Sequence, residues 1–135
     1  MNREILFKGK RLDGGGWAEG SLCVSDKASY IVYDNDFYAE LVYGQTALIS
    51  DRFLEVDPST VGQFTGLCDK NGTKIFEDDI LSISGKTGIV VKWNGERAAF
   101  GGDDGEIESD SLYGAFLAEV VGNIHDNPEL LKAPI

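Results

Sequence analysis

Glycine punctuates this chain at short intervals. The 17 glycines stand between brief runs of Val, Ile, Phe, Tyr and Trp, against only three prolines. Such runs suit pleated strands, and Gly supplies the positive backbone angles that tight turns need. Two Asn-Gly pairs, Asn71-Gly72 and Asn94-Gly95, each lie between apolar stretches. A two-residue type I′ turn requires positive φ twice, so Asn-Gly is the strongest short hairpin signal. The expected fold is therefore mainly β, with positive φ at both Gly72 and Gly95.

The strands follow from this punctuation. Ile5, Phe7 and Leu12 frame a first strand, and Asp13-Gly14-Gly15-Gly16 turns it into Trp17 to Val24, an N-terminal hairpin. Ser29 to Val32 and Phe53 to Val56 are further strands. The stretch between them fits neither period, and 25–52 is read only as strand and loop. Asp57-Pro58-Ser59-Thr60 predicts one helical turn with Asp as cap and Pro at its first position. Gln63 to Cys68, Lys74 to Phe76 and Asp79 to Ile83 continue the strands. A Gly85-Lys86-Thr87-Gly88 turn leads to Ile89 to Trp93, and Arg97 to Phe100 follows the second Asn-Gly. Leu112 to Ile124 is a last strand region. Asn127 to Lys132 closes as a capped helical turn.

Several short strands at close spacing suggest a small barrel, and an SH3-like barrel of about five strands fits the second half. Residues 1–56 form an N-terminal β region and 57–135 the barrel region, together one compact unit. Alternation places Val91 and Trp93 on one face, so the expected barrel core includes Ile80, Ile83, Val91 and Trp93.

Charge and cysteine use narrow the function classes. Twelve Lys+Arg stand against 23 Asp+Glu, a net charge of -11. Direct duplex binding is disfavoured, because phosphate contacts need clustered Lys and Arg. No apolar run is long enough to span a membrane, and MNREILFKGK lacks a secretory pattern. A cytoplasmic location is expected, with Cys23 and Cys68 as reduced, partly buried thiols. The Asn71-Gly72-Thr73 sequon has no meaning there.

The motifs that carry chemistry fail one by one. Gly85-Lys86-Thr87 lacks the earlier Gly of a phosphate loop, and a strand follows rather than a helix. Asp69-Lys70-Asn71-Gly72 brings its Gly too early for a calcium loop. Glu77, Asp78 and Asp79 alternate across a strand and cannot face one another, so they read as a solvated turn. His125 has no nucleophile signature beside it and reads as a structural or surface residue. No metal set, cofactor motif or catalytic residue is called for. Glu96 to Asp110 carries six acids and one Arg. Asp103, Asp104, Glu106, Glu108 and Asp110 are expected as an exposed acidic loop and as the candidate partner-binding residues.

Three blocks resemble one family. Ile5-Leu6-Phe7-Lys8-Gly9-Lys10-Arg11 with Trp17-Ala18-Glu19-Gly20-Ser21-Leu22 is similar to the opening of the YopX family of phage and prophage proteins. Val56 to Leu67, Asp69-Lys70-Asn71-Gly72 and Ile75-Phe76-Glu77-Asp78-Asp79-Ile80-Leu81 resemble its central block. Glu119-Val120-Val121-Gly122-Asn123-Ile124-His125-Asp126-Asn127-Pro128-Glu129-Leu130 resembles its closing block. The family reads Glu-Gly-Asp where this chain has Glu77-Asp78-Asp79. Asp is among the few replacements for Gly that tolerate a left-handed position. The resemblance implies a mainly β, phage-encoded protein of a bacterial host with an SH3-like barrel in its C-terminal half, and supplies no activity. The leading expectation is a non-catalytic module that binds a protein partner or a second copy of itself. An acidic decoy of a nucleic-acid surface and an enzyme built from scattered residues are the alternatives.

Overall fold

The computed structural model describes residues 3–33, 53–104, 112 and 114–131. Most of the unassigned stretch, 34–52, lies outside them. So do Glu106, Glu108 and Asp110. Among the described residues ten strands run β1 (Phe7–Lys10), β2 (Trp17–Val24), β3 (Ser29–Val32), β4 (Phe53–Val56), β5 (Gly62–Cys68), β6 (Lys74–Phe76), β7 (Asp79–Ile83), β8 (Lys86–Asn94), β9 (Ala99–Asp103) and β10 (Ala118–Asn123). All pairings among them are antiparallel. The chain is mainly β and divides into two compact units, Met1–Gln63 and Phe64–Ile135.

In the first unit the strands pair in the order β4-β3-β2-β1, and Gly62 and Gln63 of β5 add to the free side of β1. Ala18, Ile31 and Val56 are buried there, with Phe7, Leu22, Leu54 and Val61 packed against them. The turn Pro58–Thr60 forms as expected: the Asp57 carboxylate accepts from the Ser59 N–H at 3.0 Å, and Pro58 holds the first position.

In the second unit β5 pairs with β6, and the order β10-β7-β8-β9 makes a four-stranded sheet. Ile75, Leu81, Val91, Ala115 and Ala118 form its buried cluster, flanked by Ile83, Ile89, Phe100, Leu112 and Val120. Ile80 is buried as expected. Among the described residues no pairing joins β9 to β10.

The turns differ in kind from the expectation. Gly72 has φ 82, but Asn71 is not left-handed. The Gly72 N–H donates to the Asp69 carbonyl and the Asp69 N–H to that of Thr73, a type I turn closed by a left-handed glycine. Gly95 is not left-handed; Ala98 is, at φ 52. Pairing of Asn94 with Ala99 leaves a four-residue loop, nucleated by Asn94, whose Oδ1 accepts from the Glu96 and Arg97 N–H groups. The two-residue turn with positive φ at both positions is Ser84-Gly85, at φ 50 and 84. The expected Gly85–Gly88 turn is thus corrected: Lys86 already pairs with Ile83. The terminal turn is Pro128–Leu130, and the Asn127 side chain makes no cap bond there.

Both cysteines are free and exposed rather than partly buried. A thiol reagent should therefore titrate both in the native protein, without denaturant. Reaction only after unfolding would place them inside.

Candidate functional site

The acidic residues divide on inspection. Asp103 ends β9 and pairs diagonally with Lys92 of β8, at 3.3 Å. Asp104 is buried and forms an ion pair with Lys86. Neither is the exposed loop carboxylate that the sequence suggested. Strand β9 runs on past Phe100 to Asp103, which carries the first two acids back against the lysines of β8.

Asp69 accepts three backbone N–H groups through its carboxylate. It sits at the start of the β5–β6 turn and is 6% exposed. Its Oδ1 accepts from the Asn71 and Thr73 N–H groups, each at 2.9 Å, and its Oδ2 from the Val120 N–H at 2.9 Å. The Lys70 N–H adds a bond to the Ala118 carbonyl at 3.0 Å. One side chain thus fixes the turn and fastens it to β10. Burial pushes the Asp69 carboxyl up, but the N–H groups of Val120, Thr73 and Asn71, with the Lys70 charge, hold it below the usual carboxylate range.

A second assembly joins 77–79 to the closing block. Asp78 is left-handed at φ 72, the conformation for which Gly would be the ordinary choice. Its N–H donates to the Val91 carbonyl at 2.8 Å and its carbonyl accepts from the Ile124 N–H at 3.0 Å. The Asp78 Oδ2 lies 3.0 Å from Nε2 of His125, both side chains largely buried. The partner turn holds itself rigid. Asn123 Oδ1 accepts from the His125 and Asp126 N–H groups, and Asn127 Oδ1 from the Asn123 N–H. A Cβ at Gly122 would lie 2.5 Å from that Asn127 oxygen, so a side chain there would push the Asn127 amide away from the Asn123 N–H. Asp79 is buried and its Oδ2 accepts from the Phe76 N–H at 2.8 Å. The expected solvated turn at 77–79 is therefore a built joint, since each backbone group of Asp78 is spoken for. A His–Asp pair is part of many acid–base sites. Here its aspartate is fixed through its own backbone to the turn that carries the histidine, which is the arrangement of a clasp.

The aromatic surface lies elsewhere. Trp93 is 50% exposed and is not part of the core, which corrects the expectation. It shares a face with buried Val91, as alternation requires, but stands next to the last residue of β8, beyond the buried cluster. Its ring meets Phe100 edge-on across the strand pair, with centroids 5.0 Å apart. Phe100 packs against the buried cluster. Ala115 belongs to that cluster and is followed by Phe116 and Leu117, both exposed, at 63% and 56%. Exposed large rings rooted in a rigid core are what partner contacts use, because little side-chain freedom is lost on binding.

Sequence reasoning missed Asp69 and the Asp78–His125 pair. The one signal for the latter was an Asp where the resembled family has Gly. Among the described residues no group of three or more His, Cys, Asp or Glu is placed to hold a metal ion. No helix of the described residues is long and apolar enough to cross a membrane.

No curated protein matches the chain. A family model described as YopX protein matches residues 13–132. That range takes in the central and closing blocks and the Trp17–Leu22 part of the opening block, while Ile5 to Arg11 precede it. It therefore includes both joints, Asp69 with Val120 and Asp78 with His125, and the chain belongs to the YopX protein family.

Proposed function

We propose that the protein is a phage-encoded, non-catalytic β module that binds a protein partner in the bacterial cytoplasm. The supporting observation is Trp93, half exposed and held edge-on by Phe100 at the end of a hairpin. Two carboxylates of the candidate site serve the fold: Asp69 ties a turn to β10, and Asp78 clasps the turn of His125. An SH3-like architecture for 57–135 belongs to the same reading, supported by short antiparallel strands β5 to β10 joined by tight turns. Self-association through the same rings is the close variant. The acidic decoy is less favoured, because Asp103 and Asp104 are already engaged by Lys92 and Lys86.

The test is Trp93→Ser. With half the ring exposed, loss of its remaining burial and of the Phe100 contact should lower stability by only about 1 kcal/mol. Capture of host proteins, or dimer formation by sedimentation if the partner is a second copy, should fall sharply. A loss of several kcal/mol in urea denaturation would return Trp93 to the core.

A further inference from the structure

The two Asn-Gly pairs share a sequence but not an environment. In the β5–β6 turn the Gly72 N–H is tied to the Asp69 carbonyl at 3.0 Å, and the Asn71 N–H to the Asp69 carboxylate at 2.9 Å. Among the described residues nothing donates to the Asn71 side-chain oxygen. In the β8–β9 loop both features are reversed. The Gly95 N–H has no partner among the described residues. The Asn94 Oδ1 receives two backbone N–H groups, from Glu96 at 3.0 Å and Arg97 at 3.1 Å. A Cβ at Gly95 would meet nothing within 4 Å, so this peptide is open to water.

We propose that Asn94 is a self-modification site, where the folded loop promotes conversion of the asparagine to aspartate and isoaspartate. The Gly95 nitrogen, giving its proton to water, attacks Cγ of Asn94. The new C–N bond closes a five-membered imide as the C–NH2 bond breaks and ammonia leaves. Water then opens either carbonyl of the ring, yielding aspartate or the chain-lengthened isoaspartate. No oxidant or cofactor enters. Negative charge develops on the Asn94 Oδ1 in the tetrahedral intermediate, where the Glu96 and Arg97 N–H groups already point. Donors aimed in advance at a developing oxyanion lower the barrier. At Asn71 the nucleophile is tied and the oxyanion unassisted.

The product alters the proposed contact. Either acid adds a negative charge beside Trp93, and isoaspartate adds a backbone atom at the Asn94–Ala99 pair that ends the hairpin. The protein would thus change its partner surface with age.

The test is peptide mapping by mass spectrometry of folded protein aged at neutral pH. Asn94 should convert about tenfold faster than Asn71, as two preset donors warrant. In denaturant the two sites should convert at similar rates, since only the fold distinguishes them. Gly95→Ala, for which the loop has room, should slow conversion at Asn94 in the folded protein. Equal rates in the folded state, faster conversion at Asn71, or a ratio that persists in denaturant would each overturn the proposal.

Discussion

Asp69→Ala should cost about 3 kcal/mol or more, because three backbone donors lose their acceptor and the Val120 N–H is partly buried in the β10 edge. Asn71 and Thr73 are exposed, so their N–H groups can turn to water, which keeps the loss from reaching three full penalties. Asp69→Asn should not rescue it. An amide offers one oxygen, and its NH2 would face either the turn or Val120 as a second donor. The dependence on pH follows from the lowered carboxyl. Its contribution is fully present above the unfolded value, about pH 4, and is lost as pH falls through the lower folded value. Urea denaturation of wild type and Asp69→Ala should therefore differ most near neutrality and converge in acid. A gap that widened in acid, or no gap at neutrality, would remove Asp69 from its place as the fastening of the turn.

Gly20→Ala should be the other severe change, at about 3 kcal/mol. A Cβ there would lie 2.2 Å from the Val32 carbonyl oxygen and 2.9 Å from its carbon. Both are backbone atoms of β3, so no side chain can swing aside. Gly20 pairs with Phe7, and its neighbour Ser21 pairs with Val32, so relief means parting β2 from β3 or β1. Trp17 lies on the same strand and reports the unfolding by fluorescence. Gly15→Ala makes a useful contrast. Its Cβ would meet only the Arg11 guanidinium end, which can move. If Gly20→Ala unfolded at the wild-type urea concentration, β2 and β3 would not pack as closely as these distances state.

Much of the strand map was legible because it rests on local chemistry. Trp17–Val24, Ser29–Val32 and Asp79–Ile83 are runs of β-forming residues bounded by turn residues, and they are strands with those bounds. The Pro58 turn was legible for the same reason. What failed depended on where a strand pair ends. Alternation put Trp93 on the face of Val91, correctly, but the period cannot say that the buried cluster stops before Trp93. Asn94-Gly95 signalled a hairpin, correctly, but the loop took four residues and placed its left-handed residue at Ala98. The displaced β9 then drew Asp103 and Asp104 out of the supposed loop. The contacts that make the two joints were not legible, although the Asp in place of the family's Gly marked Asp78 itself. Asp69 meets Val120 across 51 positions and Asp78 meets His125 across 47, and nothing local marks either pair.

The claim that the exposed ring is the working part of the molecule is tested most directly by one paired measurement. Wild type and Trp93→Ser are compared for partner capture at low and high salt, with urea denaturation of the same samples. Apolar contact predicts wild-type capture that survives high salt, and its loss in the variant with the denaturation midpoint nearly unmoved. Capture that collapses with salt and is indifferent to Trp93→Ser would contradict the account and assign the contact to charge.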